Sequence, residues 1–321
     1  MILAGIDIGT NTLRLLIADV RGGVISGLVS ERIVARLGQD LDRTGVLSRP
    51  AQDRALQALV GFTRRISDHA CDAVSAVATS ALRNARNTGE FLREARERTG
   101  LEIRVISGEE EALLTLAGVR GALRRERLGE DPLASSVVID IGGGSTELIV
   151  SDQGRVRHLL SLHLGAVYLT DSLLAHDPPS EGEMLSLRSA VRRDLDVWER
   201  ELERAAGLRP DGLRALAGTA GTITTLAAMD LKLAHYDPEP INGHVLSRPA
   251  LDGLVDDLRS RTQEQRKGLP GLEPGREDII LAGAVICQEI MDRCGRQDLL
   301  VSGWGLREGI VLDLAARRIA R

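Results

Sequence analysis

The sequence predicts an α/β protein built from two duplicated halves facing each other across a cleft. Three observations carry that expectation. Short β-branched runs alternate with longer amphipathic stretches along the chain. An apolar strand, an Asp-Ile-Gly turn and a second apolar strand occur twice, at a constant offset of 133 residues. The chain is 321 residues long, and at roughly 150 residues per domain that suggests two domains. A chain this size buries about three quarters of its unfolded surface, so it needs no disulfide or metal staple.

The elements follow in order. Leu3–Asp7 and Leu13–Asp19 are the apolar strands around the first turn, with Gly23–Ser30 after them. An amphipathic helix is expected at Ser48–Asp68, a strand at Ala73–Ala78, a helix at Thr88–Thr99 and a strand at Ile103–Ser107. A helix at Gly108–Gly121 runs into the charge-rich stretch Arg120–Pro132, which breaks the pattern and reads as the connection between halves. Strands Ser136–Asp140 and Glu147–Ser151 surround the second turn, and His158–Ser161 follows. Helices are expected at Leu164–Leu174 and Ser180–Ala206, then a strand at Leu213–Ala217 and helices at Thr222–Asp230 and Arg248–Arg261. In the last long helix, Glu277–Cys294, Ile280, Leu281, Ala284 and Val285 recur at helical spacing, and strand Leu299–Ser302 comes after it. The expected domains are residues 1–127, with a C-terminal helix 306–321 packing back on them, and residues 128–305.

In the repeat, Asp7 meets Asp140, Gly9 meets Gly142, Thr12 meets Ser145 and Asp19 meets Asp152. One glycine turn is weak evidence, since many such turns need only a positive φ. Two copies in register, one opening each half, imply duplication. The turn chemistry suits phosphate: glycines let the backbone approach closely, and successive N–H groups form an anion nest assisted by Thr and Ser hydroxyls. The candidate phosphate ligands are Gly9, Thr10, Asn11 and Thr12 in the first turn, and Gly142, Gly143, Gly144, Ser145 and Thr146 in the second. An Asp at a strand end cannot bind phosphate directly, so its expected task is to hold a cation or water. No P-loop signature is present, and a strand rather than a helix follows each turn. A third turn at Gly218, Gly221 and Thr222 leads from an apolar strand into a helix, whose N-terminus favours an anion. The plainer account of that turn is an N-cap by Thr222 with close strand–helix packing.

Composition narrows the classes of partner. The net charge is −5, and aromatic residues are 2% of the chain. That argues against a global attraction to nucleic acid or anionic lipid, and against base-stacking platforms. No apolar run approaches the ~20 residues of a membrane span, and Met1 leads directly into Ile2-Leu3-Ala4 without a basic leader. Cys71, Cys287 and Cys294 lack zinc spacing and read as core residues of a reduced, cytoplasmic protein. The six histidines show no ligand spacing, and Trp198 and Trp304 read as packing residues. Arg120, Arg124, Arg125 and Arg127 read as a solvated face, with the edge of a polyphosphate channel as the alternative.

Further blocks complete a pattern: Ala78-Thr79-Ser80-Ala81-Leu82-Arg83 with Asn87, Ile106-Ser107-Gly108-Glu109-Glu110-Glu111-Ala112, and Leu164-Gly165-Ala166-Val167. Tyr236-Asp237-Pro238-Glu239, Pro274-Gly275-Arg276-Glu277-Asp278 and Ser302-Gly303-Trp304-Gly305-Leu306-Arg307-Glu308-Gly309 follow. With the two Asp-x-Gly hairpins and the Gly218–Leu226 turn, this set resembles the exopolyphosphatase / guanosine pentaphosphate phosphohydrolase (Ppx/GppA) family of the actin/hexokinase/Hsp70-like superfamily. Tyr168 stands where that family commonly has Arg, and Asn242 where it commonly has His.

The resemblance implies two actin-like (RNase H-like) domains and a Mg²⁺-dependent hydrolase, with Mn²⁺ as the alternative cation. It implies inorganic polyphosphate or guanosine pentaphosphate as substrate, a homodimer, and no nucleic-acid or membrane partner. The short form, without the helical C-terminal domains of longer members, is expected to act with little processivity. The resemblance selects Glu111 from the acidic triplet as catalytic base; the pattern alone reads Glu109, Glu110 and Glu111 as an acidic first helical turn. Arg83 is the candidate clamp on the terminal phosphate and stabiliser of transition-state charge. Asp140 and Glu147 are the candidate metal pair, with Asp7 holding a second metal or an ordered water. Arg14 either clamps phosphate or pairs with an acid, and Arg276 and Arg307 read as weaker candidates or salt-bridge partners. A non-catalytic alarmone sensor and a kinase of the same superfamily are the alternatives in other classes.

Overall fold

The computed structural model describes residues 1–21, 24–126, 133–235 and 237–319. In chain order the elements are β1 (Ile2–Ile8), β2 (Thr12–Arg21), β3 (Val24–Val34), α1 (Leu41–Thr44), α2 (Arg49–Asp68), β4 (Ala73–Ala78), α3 (Ser80–Asn84), α4 (Thr88–Thr99), β5 (Ile103–Val105) and α5 (Gly108–Glu126). Then come β6 (Ser136–Ile141), β7 (Thr146–Asp152), β8 (Arg155–Leu162), α6 (Ala166–Leu173), α7 (Glu181–Ala206), β9 (Ala215–Thr219), α8 (Ala220–Asp230) and α9 (Pro238–Ile241). The chain finishes with β10 (Val245–Ser247), α10 (Arg248–Ser260), α11 (Gln263–Arg266), α12 (Ile280–Arg293), β11 (Asp298–Val301) and α13 (Leu306–Ile319).

By packing, Met1–Gly118 with Gly305–Arg321 form one unit and Val119–Trp304 another. The expected boundary at 127/128 lies outside the described residues. The division between the two units falls inside α5, which runs on through Arg120 to Glu126.

The first unit carries a sheet in the order β3-β2-β1-β4-β5. The strands β1, β2 and β3 form an antiparallel meander, and β4 and β5 add in parallel. Pleat alternation sends Ala4, Ile6 and Ile8 of β1, and Leu13, Leu15 and Ile17 of β2, into one core with Phe62 of α2 and Phe91 of α4. Gly5, Asp7 and Arg14 are thereby turned to the opposite face. There α13 packs on β1: a side chain at Gly5 would put its Cβ 2.9 Å from Val311. The helix α13 also lies tightly on α5, where a Cβ at Gly309 would approach Leu114 O to 1.8 Å. This contact ties the helix bearing Glu111 to the strand bearing Asp7.

The second unit has the order β10-β11-β9-β6-β7-β8. Here β6, β7 and β8 repeat the meander, and β9 and β11 repeat the parallel additions. The edge strand β10 is extra, and at three residues it is too short to show a period in the sequence. Val137, Ile139 and Ile141 of β6 and Leu148 and Val150 of β7 enter the main core with α7, α8, α10 and α12. The same alternation turns Asp140 and Glu147 to the other face.

The strand β4 ends at Ala78; Thr79 N then bonds Ile8 O at 3.2 Å, and Arg83 N bonds Thr79 O at 3.0 Å to close the helical turn of α3 that carries Arg83. One local expectation is corrected. At the third turn, Thr219 occupies the N-cap position and Thr222 lies inside the first turn of α8. Trp198 is fully buried, and the capping box of α7 is Ser180 with Glu183. Burial pushes the thiols of Cys287 and Cys294 up to about 12, while Cys71 is half-buried. No described helix is long and apolar enough to cross a membrane.

Candidate active site

The two repeat turns are closed by the same hydrogen bond at the same offset. Gly9 N donates to Thr12 O at 3.0 Å, and Gly142 N donates to Ser145 O at 2.9 Å. A Cβ at Gly9 would sit 3.2 Å from Thr12 O, and one at Gly142 3.1 Å from Ser145 O; neither residue is left-handed. Crowding, not a positive φ, is what disfavours a side chain here.

In each turn two carbonyls accept from a neighbouring segment. Asn11 O accepts from Ala35 N and Arg36 N, and Thr10 O from Gly38 N, at 2.9–3.1 Å. In the second unit Gly142 O accepts from Ala166 N, and Gly143 O from Val167 N and Tyr168 N, at 2.8–3.1 Å. Gly165 must be glycine for this docking, since its Cβ would fall 2.3 Å from Gly143 O. With these carbonyls engaged, the other turn amides and the hydroxyls beside them suit an anion nest. Asn11 adds an orphan: its buried Nδ2 has no hydrogen-bond acceptor among the described residues. Thr10, Thr12 and Ser145 are buried beside these amides. Thr146, expected among the phosphate ligands, has another task. It is fully buried and its hydroxyl donates to Leu164 O, bracing the segment that docks behind the turn.

Strand register then lays a row of polar side chains across each sheet. In the first unit Asp7 stands opposite Arg14, and Arg14 opposite Arg32. In the second, Asp140 stands opposite Glu147, and Glu147 opposite Ser161. Directly opposed residues share a face and have Cβ atoms roughly 4.5–5.5 Å apart. Asp140 is 7% exposed and Glu147 1%, and Ser161 Oγ donates to Glu147 Oε1 at 2.7 Å. Two neighbouring carboxylates beside a phosphate-type turn fit Mg²⁺, which takes few protein ligands and keeps waters and phosphate oxygens as the rest. No group of three or more His, Cys, Asp or Glu among the described residues is arranged to hold a metal. Arg32 and Ser161 escaped the sequence reading, because only the register shows that they complete these rows.

The three acids at the start of α5 have different surroundings. Glu109 is exposed, and Glu110 pairs with Arg104 while its N–H bonds Ser107 Oγ at 3.1 Å. Glu111 is buried, and its Oε2 accepts from Arg83 Nη1 at 3.2 Å. The same Nη1 donates to Ile106 O at 2.8 Å, which fixes the guanidinium between α3 and the start of α5. A buried carboxylate held by an oriented guanidinium is suited to position a water beside a phosphoryl group.

The remaining candidates are more structural. A Cβ at Gly218 would press on Ile139 and Ile223 at 3.2 Å, and Thr222 packs on Gly283 of α12. The buried Gly221 lies in the first turn of α8. Thr219 Oγ1 donates to Trp304 O at 2.8 Å. Arg276 Nε bonds the buried Glu273 at 2.7 Å, and Arg307 bonds Glu308 and Ser30. Tyr168 lies against His163 with ring centroids 4.2 Å apart, and Asn242 Oδ1 accepts from Gly303 N at 3.0 Å. Arg120 bonds Gly154 O at 3.3 Å. The side chains of Arg124 and Arg125, and Arg127 and Tyr236 entirely, lie outside the described residues.

Comparison with known proteins agrees on one family. The model described as the Ppx/GppA phosphatase family matches residues 16–318. The chain is 34% identical over 328 residues to exopolyphosphatase 2 of Mycobacterium tuberculosis, covering 98% of each. It is 29% identical over 311 residues to the guanosine-5'-triphosphate,3'-diphosphate pyrophosphatase of Aeromonas hydrophila, covering 97% of this chain and 59% of that one. The crystal structure of the Aquifex aeolicus member of the Ppx/GppA protein family superposes with a TM-score of 0.81 at 31% identity, over 99% of this chain and 98% of that one.

Proposed function

The chain belongs to the Ppx/GppA phosphatase family, and from that premise we propose that it is an exopolyphosphatase releasing terminal orthophosphate from inorganic polyphosphate. The observation that carries the mechanism is the burial of Glu111 against Arg83. Glu111 orients a water and accepts its proton as the water oxygen attacks the terminal phosphorus. The bridging P–O bond breaks, and the shortened polyphosphate leaves with the electron pair. Arg83, already within reach of Glu111, grips the terminal phosphate oxygens and stabilises the charge that builds on them. Within the first unit the amides and hydroxyls of the Gly9–Thr12 turn are the phosphate-binding groups, with Arg14 and Arg32 adding positive charge; within the second unit those of Gly142–Ser145 have the same task. Asp140 and Glu147 are the residues that hold Mg²⁺, or Mn²⁺ in its place, and Asp7 holds a second cation or an ordered water. Bound there, the cation neutralises phosphate oxygens and orients them.

Polyphosphate is favoured over guanosine pentaphosphate because the exopolyphosphatase relative matches end to end, whereas the pyrophosphatase relative is covered over 59% of its length. Orthophosphate release from each substrate, compared as kcat/KM, tests this: polyphosphate is expected to be the better one. A higher kcat/KM for guanosine pentaphosphate assigns the alarmone instead. Tight alarmone binding with no phosphate release under any divalent cation points to a sensor.

Arg83→Ala is expected to raise KM and lower kcat together, since a phosphate clamp acts in both ground and transition states. Because Arg83 and Glu111 touch at 3.2 Å, the double alanine variant should lose less activity than the product of the single losses. Strictly multiplicative losses in steady-state kinetics exclude a shared unit.

A further inference from the structure

We infer that Ser161 is a positioning residue for the cation site, holding the Glu147 carboxylate in the orientation that a divalent cation requires. This rests on the reading of Asp140 and Glu147 as cation ligands. The observation is a 2.7 Å hydrogen bond from Ser161 Oγ to Glu147 Oε1, made between directly opposed residues of β8 and β7. Glu147 is 1% exposed, so this hydrogen bond is made out of bulk solvent. A glutamate side chain has three rotatable bonds, and Mg²⁺ demands near-ideal octahedral geometry at about 2.0–2.1 Å. A ligand carboxylate that can swing must be ordered at the moment of binding, whereas one already held by an outer partner need not be.

The duplicated row supplies the internal comparison. In the first unit the position matching Ser161 is Arg32, opposite Arg14, and the row reads Asp-Arg-Arg. In the second it reads Asp-Glu-Ser. An arginine beside Glu147 would offset its charge and compete with a cation. A serine hydroxyl orients the carboxylate while leaving its charge in place. The two rows of one fold are thereby tuned in opposite senses, the first toward anions and the second toward a cation.

The test is Mn²⁺ binding to the substrate-free full-length protein, followed by electron paramagnetic resonance, alongside Mg²⁺ activation of phosphate release. Ser161→Ala is expected to weaken Mn²⁺ binding about 10-fold, the lower end of what losing an outer-shell partner costs. The half-saturating Mg²⁺ concentration should rise in parallel, by more than kcat at saturating Mg²⁺ falls. Ser161→Thr and Ser161→Val give a second comparison that suits a strand in both cases, with and without the hydroxyl. Thr should keep the wild-type affinity and Val should lose it. Equal Mn²⁺ affinity in the Thr and Val variants overturns the inference. Glu147→Gln separates the two layers. If it weakens Mn²⁺ binding while Ser161→Val does not, the positioning role fails and the cation reading stands. If Glu147→Gln also binds Mn²⁺ as the wild type does, the cation reading itself fails.

Discussion

Glu111→Ala is expected to lower kcat for orthophosphate release by about 10²–10⁴-fold, the usual contribution of a positioned general base. That corresponds to roughly 3–5 kcal/mol in the barrier. Substrate affinity should change little, because the carboxylate acts on water rather than on the ground-state phosphates. Glu110→Ala is the matched control: Glu110 lies one residue away and pairs with Arg104, not Arg83. Rapid-quench phosphate release with both variants reads out the difference. If Glu110→Ala is the inactive one and Glu111→Ala keeps most of its rate, the base is misassigned by one residue. If both remain active, the base lies elsewhere and the mechanism is wrong.

Asp140→Asn should produce a second large loss of a different kind. Asn keeps the shape of the side chain but not the charge, so the defect should sit in cation affinity. At limiting Mg²⁺ the rate is expected to fall by about 100-fold, since even outer-shell changes at metal sites cost roughly 10–100-fold. Raising Mg²⁺ should recover part of that loss, whereas no Mg²⁺ concentration should rescue Glu111→Ala. A Mg²⁺ titration of both variants distinguishes the two behaviours. An Asp140→Asn enzyme with the wild-type Mg²⁺ half-saturation and a uniformly reduced rate contradicts a metal-ligand role.

The legibility of these residues differed with the range of the forces that place them. Asp7 and Asp140 stood out because a strand end followed by glycine is a local signal, and its recurrence at a fixed offset needs no third dimension. Their facing could also be anticipated: once Val137, Ile139 and Ile141 go to the core, the pleat leaves Asp140 on the other side. Gly9 and Gly142 are not left-handed; a Cβ on either would stand 3.1–3.2 Å from a carbonyl oxygen of its own turn, a crowding that consecutive letters do not display. Thr146 looked like its hydroxyl neighbours in sequence. Only the docking of the 164–168 segment shows that its hydroxyl is spent on Leu164 O.

What the sequence determined by itself is therefore what short-range periodicity encodes: the α/β alternation, the duplication, the two turns, and the acids at the strand ends. Hydrophobic period and turn chemistry act within a few residues, so they are written in consecutive letters. What only the tertiary structure decided depends on partners far apart in the chain. That Glu111, rather than Glu109 or Glu110, meets Arg83, 28 residues away, is one such case. Ser161 beneath Glu147 and Arg32 beside Arg14 come from strand register, which is fixed by how whole strands bury one face. A side chain's role at such a site is set by what stands across from it, and that neighbour is chosen by packing, not by spacing.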